Sequence, residues 1–242
     1  MIRQMTKRPR FESLIVFEDD DYIVINKPPY LSSLKDRNDQ TNVLELARKH
    51  CPSAQVGHRL DKETSGALAL AKHADAYRLL TMQFEQRTVT KNYRAIVPGT
   101  FNFKDHKVMA PIKVLAKGLV RLDPIYGKPA TTIFDTLSIY KKHTLLNCQP
   151  VTGRMHQIRI HLTSLGAPIV GDIAYGGRHF FLSEIKHRFN LKKHTEELPL
   201  IRRVALHAHS LEFKLMSGKT KAFEAPLPKD FSVMIKQLEK NL

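Results

Sequence analysis

The chain has 242 residues, 42% hydrophobic and 26% charged, with two cysteines and no tryptophan. A chain this long buries roughly 70–75% of its unfolded surface, so a core forms without metal or disulfide. No apolar run approaches the ~18 residues of a membrane span, and disordered, collagenous and disulfide-scaffold classes are excluded with the membrane class. Lysine and arginine number 39 against 23 aspartate and glutamate, a formal charge of +16. Self-repulsion of that size destabilises a compact state and points to a polyanionic partner, nucleic acid above all.

Residues 1–12 are polar and basic and read as a flexible arm. Arg3, Lys7, Arg8 and Arg10 have no apolar stretch behind them, so no secretory signal is expected. Cys51 and Cys148 lie far apart and outside any CxxC, which fits a reducing, cytoplasmic location. Two β-branched runs, 13–17 and 22–26, flank the acidic turn Asp19–Asp21 and predict a hairpin. Lys27-Pro28-Pro29 ends it, because proline cannot donate to a ladder. Val43, Leu44 and Ala47 fall at helical spacing within 41–50. Gly66–Lys72 reads as a buried strand, and 75–87 as an amphipathic helix with Leu79, Leu80 and Phe84 on one face. A strand at 92–97 stops at Pro98-Gly99. Several strands follow over 106–149, with turns at Lys117-Gly118 and Gly127-Lys128-Pro129. A helix is predicted over 154–165, with Thr152 as N-cap, Gly166 as C′ residue, and Met155, Ile158, Leu162 and Leu165 as apolar stripe. Residues 178–203 read as a basic insertion or loop; strands 204–213 and 220–225 and a helix 230–240 close the chain. Strands and helices without regular βαβ alternation predict an α+β fold with a mixed sheet, a single domain over 13–242.

Three segments carry chemistry. His58-Arg59-Leu60-Asp61-Lys62-Glu63-Thr64-Ser65-Gly66 flanks an aspartate with cations, which favours its charged form and suits a nucleophile or a base; on composition alone a polar loop with a local ion pair is the commoner reading. Lys91-Asn92-Tyr93-Arg94-Ala95-Ile96-Val97 alternates, with Tyr93, Ala95 and Val97 on one face. Thr152-Gly153-Arg154 opens a helix whose free N–H groups would suit phosphate, with Arg154, His156, Arg159 and His161 off the apolar stripe. An ordinary solvated face is the competing reading.

In order and together, these segments resemble the RluA family of pseudouridine synthases. Val24-Ile25-Asn26-Lys27-Pro28, Gly127-Lys128-Pro129-Ala130-x-Thr132 and Gly166-x-Pro168-Ile169-x-Gly171-Asp172 add to the resemblance, which runs from about residue 14 to 225. It implies an isomerase converting a specific uridine to pseudouridine in structured RNA, a stem-loop of rRNA or tRNA. It implies a mixed, largely antiparallel sheet with flanking helices and a central basic cleft. It also implies a monomer with no cofactor and no metal; the basic residues are spread rather than gathered on one amphipathic face, so no membrane partner is expected. Asp61 matches the family's nucleophile, attacking ribose C1′ or base C6. Tyr93 matches the tyrosine that packs on the target base and is a candidate general base. Arg159 matches the arginine that pairs with the aspartate, and Arg59 the residue that fills the space of the flipped uridine. His58, Thr64, Arg154 and Ile158 complete the candidate substrate contacts, Ile158 as an apolar wall. Flipping costs a few kcal/mol, which an inserted Arg59 would offset in part. Too few residues precede the first strand for the small RNA-binding domain of many relatives, so Arg178, Lys186, Arg188, Lys192, Lys193, Arg202 and Arg203 are candidate extra RNA contacts.

A non-catalytic RNA-binding or ribosome-assembly protein explains the charge but not the joint presence of Asp61, Tyr93 and Arg159. An aspartyl phosphotransferase needs an apolar strand leading directly into Asp61, and the sequence lacks one. A metal site from His156, His161, His207 and His209 lacks paired cysteines or a carboxylate triad.

Overall fold

The computed structural model describes residues 10–35, 41–191 and 194–242. In chain order the strands are β1 (Ile15–Glu18), β2 (Tyr22–Lys27), β3 (Gln55–Val56), β4 (Ser65–Ala71), β5 (Thr90–Pro98), β6 (His106–Met109), β7 (Ile112–Val114), β8 (Val120–Leu122), β9 (Thr131–Ile139), β10 (His143–Pro150), β11 (Leu206–Lys214) and β12 (Thr220–Glu224). The helices are α1 (Val43–His50), α2 (Ala74–Gln86), α3 (Gln157–Ser164) and α4 (Lys229–Lys240). The fold is α+β, with mostly antiparallel strands. It divides into two compact units, and neither is one continuous stretch of chain. The first comprises residues up to Val89 together with Ser210–Pro226; the second comprises Thr90–His209 with Leu227–Leu242.

In the first unit, β1 and β2 form the expected hairpin, with Phe17 opposite Val24. The acidic turn closes because Asp19 Oδ1 accepts the N–H groups of Asp21 and Tyr22 at 2.9 and 2.6 Å. β2 pairs antiparallel with β4, and β3 adds to β4. Every residue of β4 is buried, which explains its unbroken run of small and apolar side chains. Helix α2 turns Ala76 and Leu80 into a cluster with Tyr22, Val24, Ala69, Phe213 and Phe223. Gln83 is buried on the same helix and makes reciprocal bonds with the Lys214 main chain, Nε2 to O at 2.9 Å and N to Oε1 at 2.8 Å. The predicted face contained Leu79 instead, because a glutamine that satisfies a strand edge reads as polar surface. The arm expected over 1–12 needs correction at its end. Phe11–Leu14 form a single 3-10 turn, and Phe11 is buried with its ring 5.6 Å from His50. Residues 1–9 lie outside the described residues.

In the second unit, β5, β10, β9 and β6 form an antiparallel series. β7 and β8 pair separately as a hairpin. Ala95, Ile96, Val97, Phe134 and Leu146 from the strands meet Ile158 and Leu162 of α3 and Phe231, Met234 and Leu238 of α4 in the core. The segment 178–203 contributes Phe180 and Ile201 to that core. Arg203, read as a candidate RNA contact, is instead fully buried and bidentate to Asp230 at 2.8 and 3.0 Å. Lys192 and Lys193 lie outside the described residues. Among the described residues no helix is long and apolar enough to cross a membrane.

Candidate active site

In the first unit, Asp61 lies in the loop between β3 and β4. Buried residues pin that loop on both sides: Leu60 before the aspartate, Thr64 after it. Ser33 Oγ donates to the Leu60 carbonyl at 3.0 Å and accepts the Leu60 N–H at 3.1 Å. The Thr64 N–H returns to the Asp61 carbonyl at 3.1 Å, and the Tyr30 N–H donates to the Lys62 carbonyl at 2.8 Å. Lys27 ends β2 with its side chain fully buried. Its Nζ donates to the carbonyls of Pro28, Leu31 and Lys62 at 3.1, 2.8 and 3.2 Å. A buried ammonium needs such a set of acceptors to offset its lost hydration. Lys27 therefore ties the residue after Asp61 to the segment that follows β2, while Ser33 holds the residue before it, both through main-chain atoms. Arg59 is exposed and Asp61 half-buried.

His58, expected among the substrate contacts, holds the loop itself. Its ring stacks on Phe84 at 4.4 Å, and Nε2 accepts the Ala69 N–H at 3.1 Å, so Nε2 carries no proton in this arrangement.

In the second unit, Tyr93 lies on β5 opposite Cys148 of β10 and packs, half-buried, against the core. Helix α3 starts later than expected. His156 precedes it at φ +51°, a left-handed backbone that ends any continuous helix from Arg154. Thr152 is not its cap. The hydroxyl of Thr152 donates to Gln157 Oε1 at 2.6 Å, and that oxygen also accepts the Arg154 N–H at 3.0 Å. The far end follows expectation: Gly166 takes φ +71°, and the N–H groups of Gly166 and Ala167 reach the carbonyls of Thr163 and Leu162.

The polar face of α3 is not solvated. Gln157, Arg159 and His161 are all buried. Gln157 Nε2 donates to Thr132 Oγ1 at 3.0 Å. The Thr132 hydroxyl meets His161 Nδ1 at 2.9 Å, and His161 Nε2 donates to the Ala110 carbonyl at 2.9 Å. Burial lowers the His161 pKa, partly opposed by the Ala110 bond, and this keeps the ring neutral. Arg159 forks onto Asp172, Nε to Oδ2 and Nη2 to Oδ1, both 2.7 Å. Ile158 faces the core, and Arg154 Nε donates to the Pro129 carbonyl at 3.1 Å. Sequence reasoning missed Ser33 and Tyr175, and it quoted Lys27, Gln157 and Asp172 without assigning any of them a partner. The period-2 pattern of β2 offered one signal, because it places Lys27 on the face of Ile23 and Ile25.

Among the described residues no three His, Cys, Asp or Glu side chains are grouped to hold an ion, and both ring nitrogens of His161 are already engaged.

The sequence model described as RNA pseudouridylate synthase matches residues 21–164. The chain is 36% identical to the ribosomal large subunit pseudouridine synthase D of Neisseria meningitidis serogroup A, over 94% of this chain and 64% of that protein. It is 34% identical to ribosomal large subunit pseudouridine synthase C of Vibrio vulnificus, over 87% and 64%. The synthase D of the same Vibrio is matched at 34% over 94% and 71%. In fold, the human RNA pseudouridylate synthase domain containing 4 superposes with TM-score 0.71 at 24% identity, covering 95% of both chains. The human domain containing 1 gives 0.68 at 26%, covering 92% and 87%. The chain belongs to the RNA pseudouridylate synthase family. It spans 64% of the length of the first two of these bacterial relatives.

Proposed function

We propose that this protein isomerises a uridine to pseudouridine in ribosomal RNA. One observation carries the reading: the family match over 21–164 runs through Asp61, Tyr93 and Arg159 alike. The names of the matched bacterial proteins, ribosomal large subunit synthases, favour rRNA over tRNA. The +16 charge supports a polyanionic substrate, whose binding weakens steeply with salt.

In this reading Asp61 is the nucleophile that opens the glycosidic bond. Its loop is fastened through Lys27 and Ser33, which suits a carboxylate that must hold one position through bond breaking. Tyr93 packs on the freed base while it turns. Carbon C5 then bonds C1′ as the Asp61 carboxylate is released; the C5 proton leaves and N1 takes one up, so atoms and electrons are conserved. Arg159 serves as the cation that orients the aspartate, and Arg59, exposed two residues before Asp61, fills the gap of the flipped base. Thr64, Arg154, Ile158 and His58 support these groups rather than react. The protein works without a cofactor, as a cytoplasmic monomer.

The test is tritium release from RNA labelled at uridine C5, with rRNA and tRNA assayed separately. Asp61→Ala is expected to lose about a thousandfold or more in turnover while binding RNA within about twofold of wild type. Activity retained in that variant would overturn the assignment. Binding without release from either RNA would favour a non-catalytic RNA-binding protein.

A further inference from the structure

Arg159 is held from two directions within the second unit. Asp172, which is 1% exposed, takes its Nε and Nη2 in a two-pronged pair. The Tyr175 ring carries the guanidinium carbon 4.8 Å from its centroid. A fork fixes the guanidinium plane and a ring face fixes its height, so together they define one pose.

Both holders are themselves fixed. Gly171 adopts φ +78°, and a Cβ there would strike the Arg203 carbonyl; one on Gly177 would strike the Ile169 carbonyl. The N–H groups of Tyr175 and Gly177 both return to the Asp172 carbonyl, at 3.1 and 2.8 Å. The turn from Gly171 to Gly177 is thus wound too tightly for Asp172 to drift. Tyr175 Oη accepts the Val120 N–H of β8 at 3.0 Å and bonds His156 Nδ1 at 2.8 Å. Its ring shares a cluster with Ile112, Val120 and Ala130, packed by Met155 and Ile160. Tyr175 therefore joins the β7–β8 hairpin to the residue before α3 and to Arg159 itself.

We propose that Asp172 and Tyr175 are positioning residues for Arg159 in uridine isomerisation, acting through its guanidinium without touching the base. This rests on the functional reading above. An ion pair kept only for stability would not need a ring face and a glycine-wound turn to set its plane. A guanidinium that must meet a reacting carboxylate does, since a displacement of about 1 Å costs up to a hundredfold in rate.

The test is a kcat-against-KM split by tritium release at saturating RNA, well below melting. Asp172→Glu keeps the charge and the pair but moves the carboxylate by one methylene; kcat is expected to fall about tenfold with the RNA Kd within about twofold. Tyr175→Leu, which removes the ring, is expected to fall by a similar factor, while Tyr175→Phe, which keeps it, stays within about threefold of wild type. Asp172→Asn is the harsher variant and serves only if it folds. Wild-type kcat in Asp172→Glu, or losses confined to KM, would overturn the proposal even where Tm falls. Release by wild type that vanishes in Asp61→Ala but proceeds at the wild-type kcat in Asp172→Glu sinks this inference alone. No release by wild type from either RNA sinks the functional reading and this inference together.

Discussion

In the first unit the Asp61 loop is fastened by Lys27 and Ser33 acting on main-chain atoms; in the second, Arg159 is fastened by the carboxylate of another side chain. The first arrangement spreads one cation over three neutral carbonyls. The second concentrates two opposite charges in a site 1% exposed on the acid side. Losing one side chain therefore leaves different remnants. In the loop, carbonyls lose a donor. At α3, a full charge stays buried with no counter-charge of its own. The second remnant is the costlier, because desolvation scales with charge.

The largest expected effect tests that directly. Arg159→Met strands Asp172 and should cost about 3–5 kcal/mol in urea denaturation, whereas Arg159→Met with Asp172→Leu should recover much of the loss. A double variant as unstable as the single one would break the comparison. Next comes Lys27→Met, which leaves three carbonyls short of a donor and should cost about 2–3 kcal/mol. A loss equal to that of Arg159→Met would show that the loop depends on the ammonium charge as much as α3 depends on its pair. Ser33→Ala removes both bonds to Leu60 and should cost about 1–2 kcal/mol by the same measurement.

The smallest effect concerns a buried group fastened by neither means. His143 packs on Phe180 at 4.2 Å, and its Nδ1 has no hydrogen-bond partner. Burial is the main cause that pushes its pKa from 6.5 down to about 4. The folded ring stays neutral where the unfolded one takes a proton, so stability is full above pH 6.5 and falls as pH drops from there toward 4. His143→Gln should flatten that fall by roughly 2–4 °C in Tm. Some slope remains, because His161 is shifted in the same direction. An unchanged slope would show that His143 is not among the groups that titrate on unfolding.

The same contrast explains what could be read in advance. The β1–β2 hairpin, β4, α2 and α4 follow from apolar periodicity and turn chemistry, which are local. The candidate site was readable only through its motif residues, because Asp61, Tyr93 and Arg159 have no local pattern that separates them from surface polar groups. The start of α3 was missed because the Gln157 side chain, not Thr152, takes up the Arg154 N–H, and the choice depends on contacts with Thr131 and Thr132 of β9. Burial of Arg159 and His161 was missed for the same reason: their partners come from Asp172, Thr132 and Ala110, far along the chain. Lys27 shares the face of Ile23 and Ile25, but the carbonyls that make its burial possible come from Pro28, Leu31 and Lys62 and are not legible in the strand pattern.

The discontinuity of the two units has a consequence for synthesis. The core around Tyr22, Ala69 and Leu80 is completed by Leu211, Phe213 and Phe223, which follow the whole stretch from Thr90 to His209. At ordinary elongation rates a nascent chain therefore carries an unfinished first unit for on the order of ten seconds. During that interval the cluster on β4 lacks Leu211, Phe213 and Phe223, and its uncovered apolar surface is exposed to chaperones or to aggregation. A chain stalled before Ser210 would keep the Asp61 segment but leave that core open, so proteolysis of arrested chains should remove it well before the finished protein is touched.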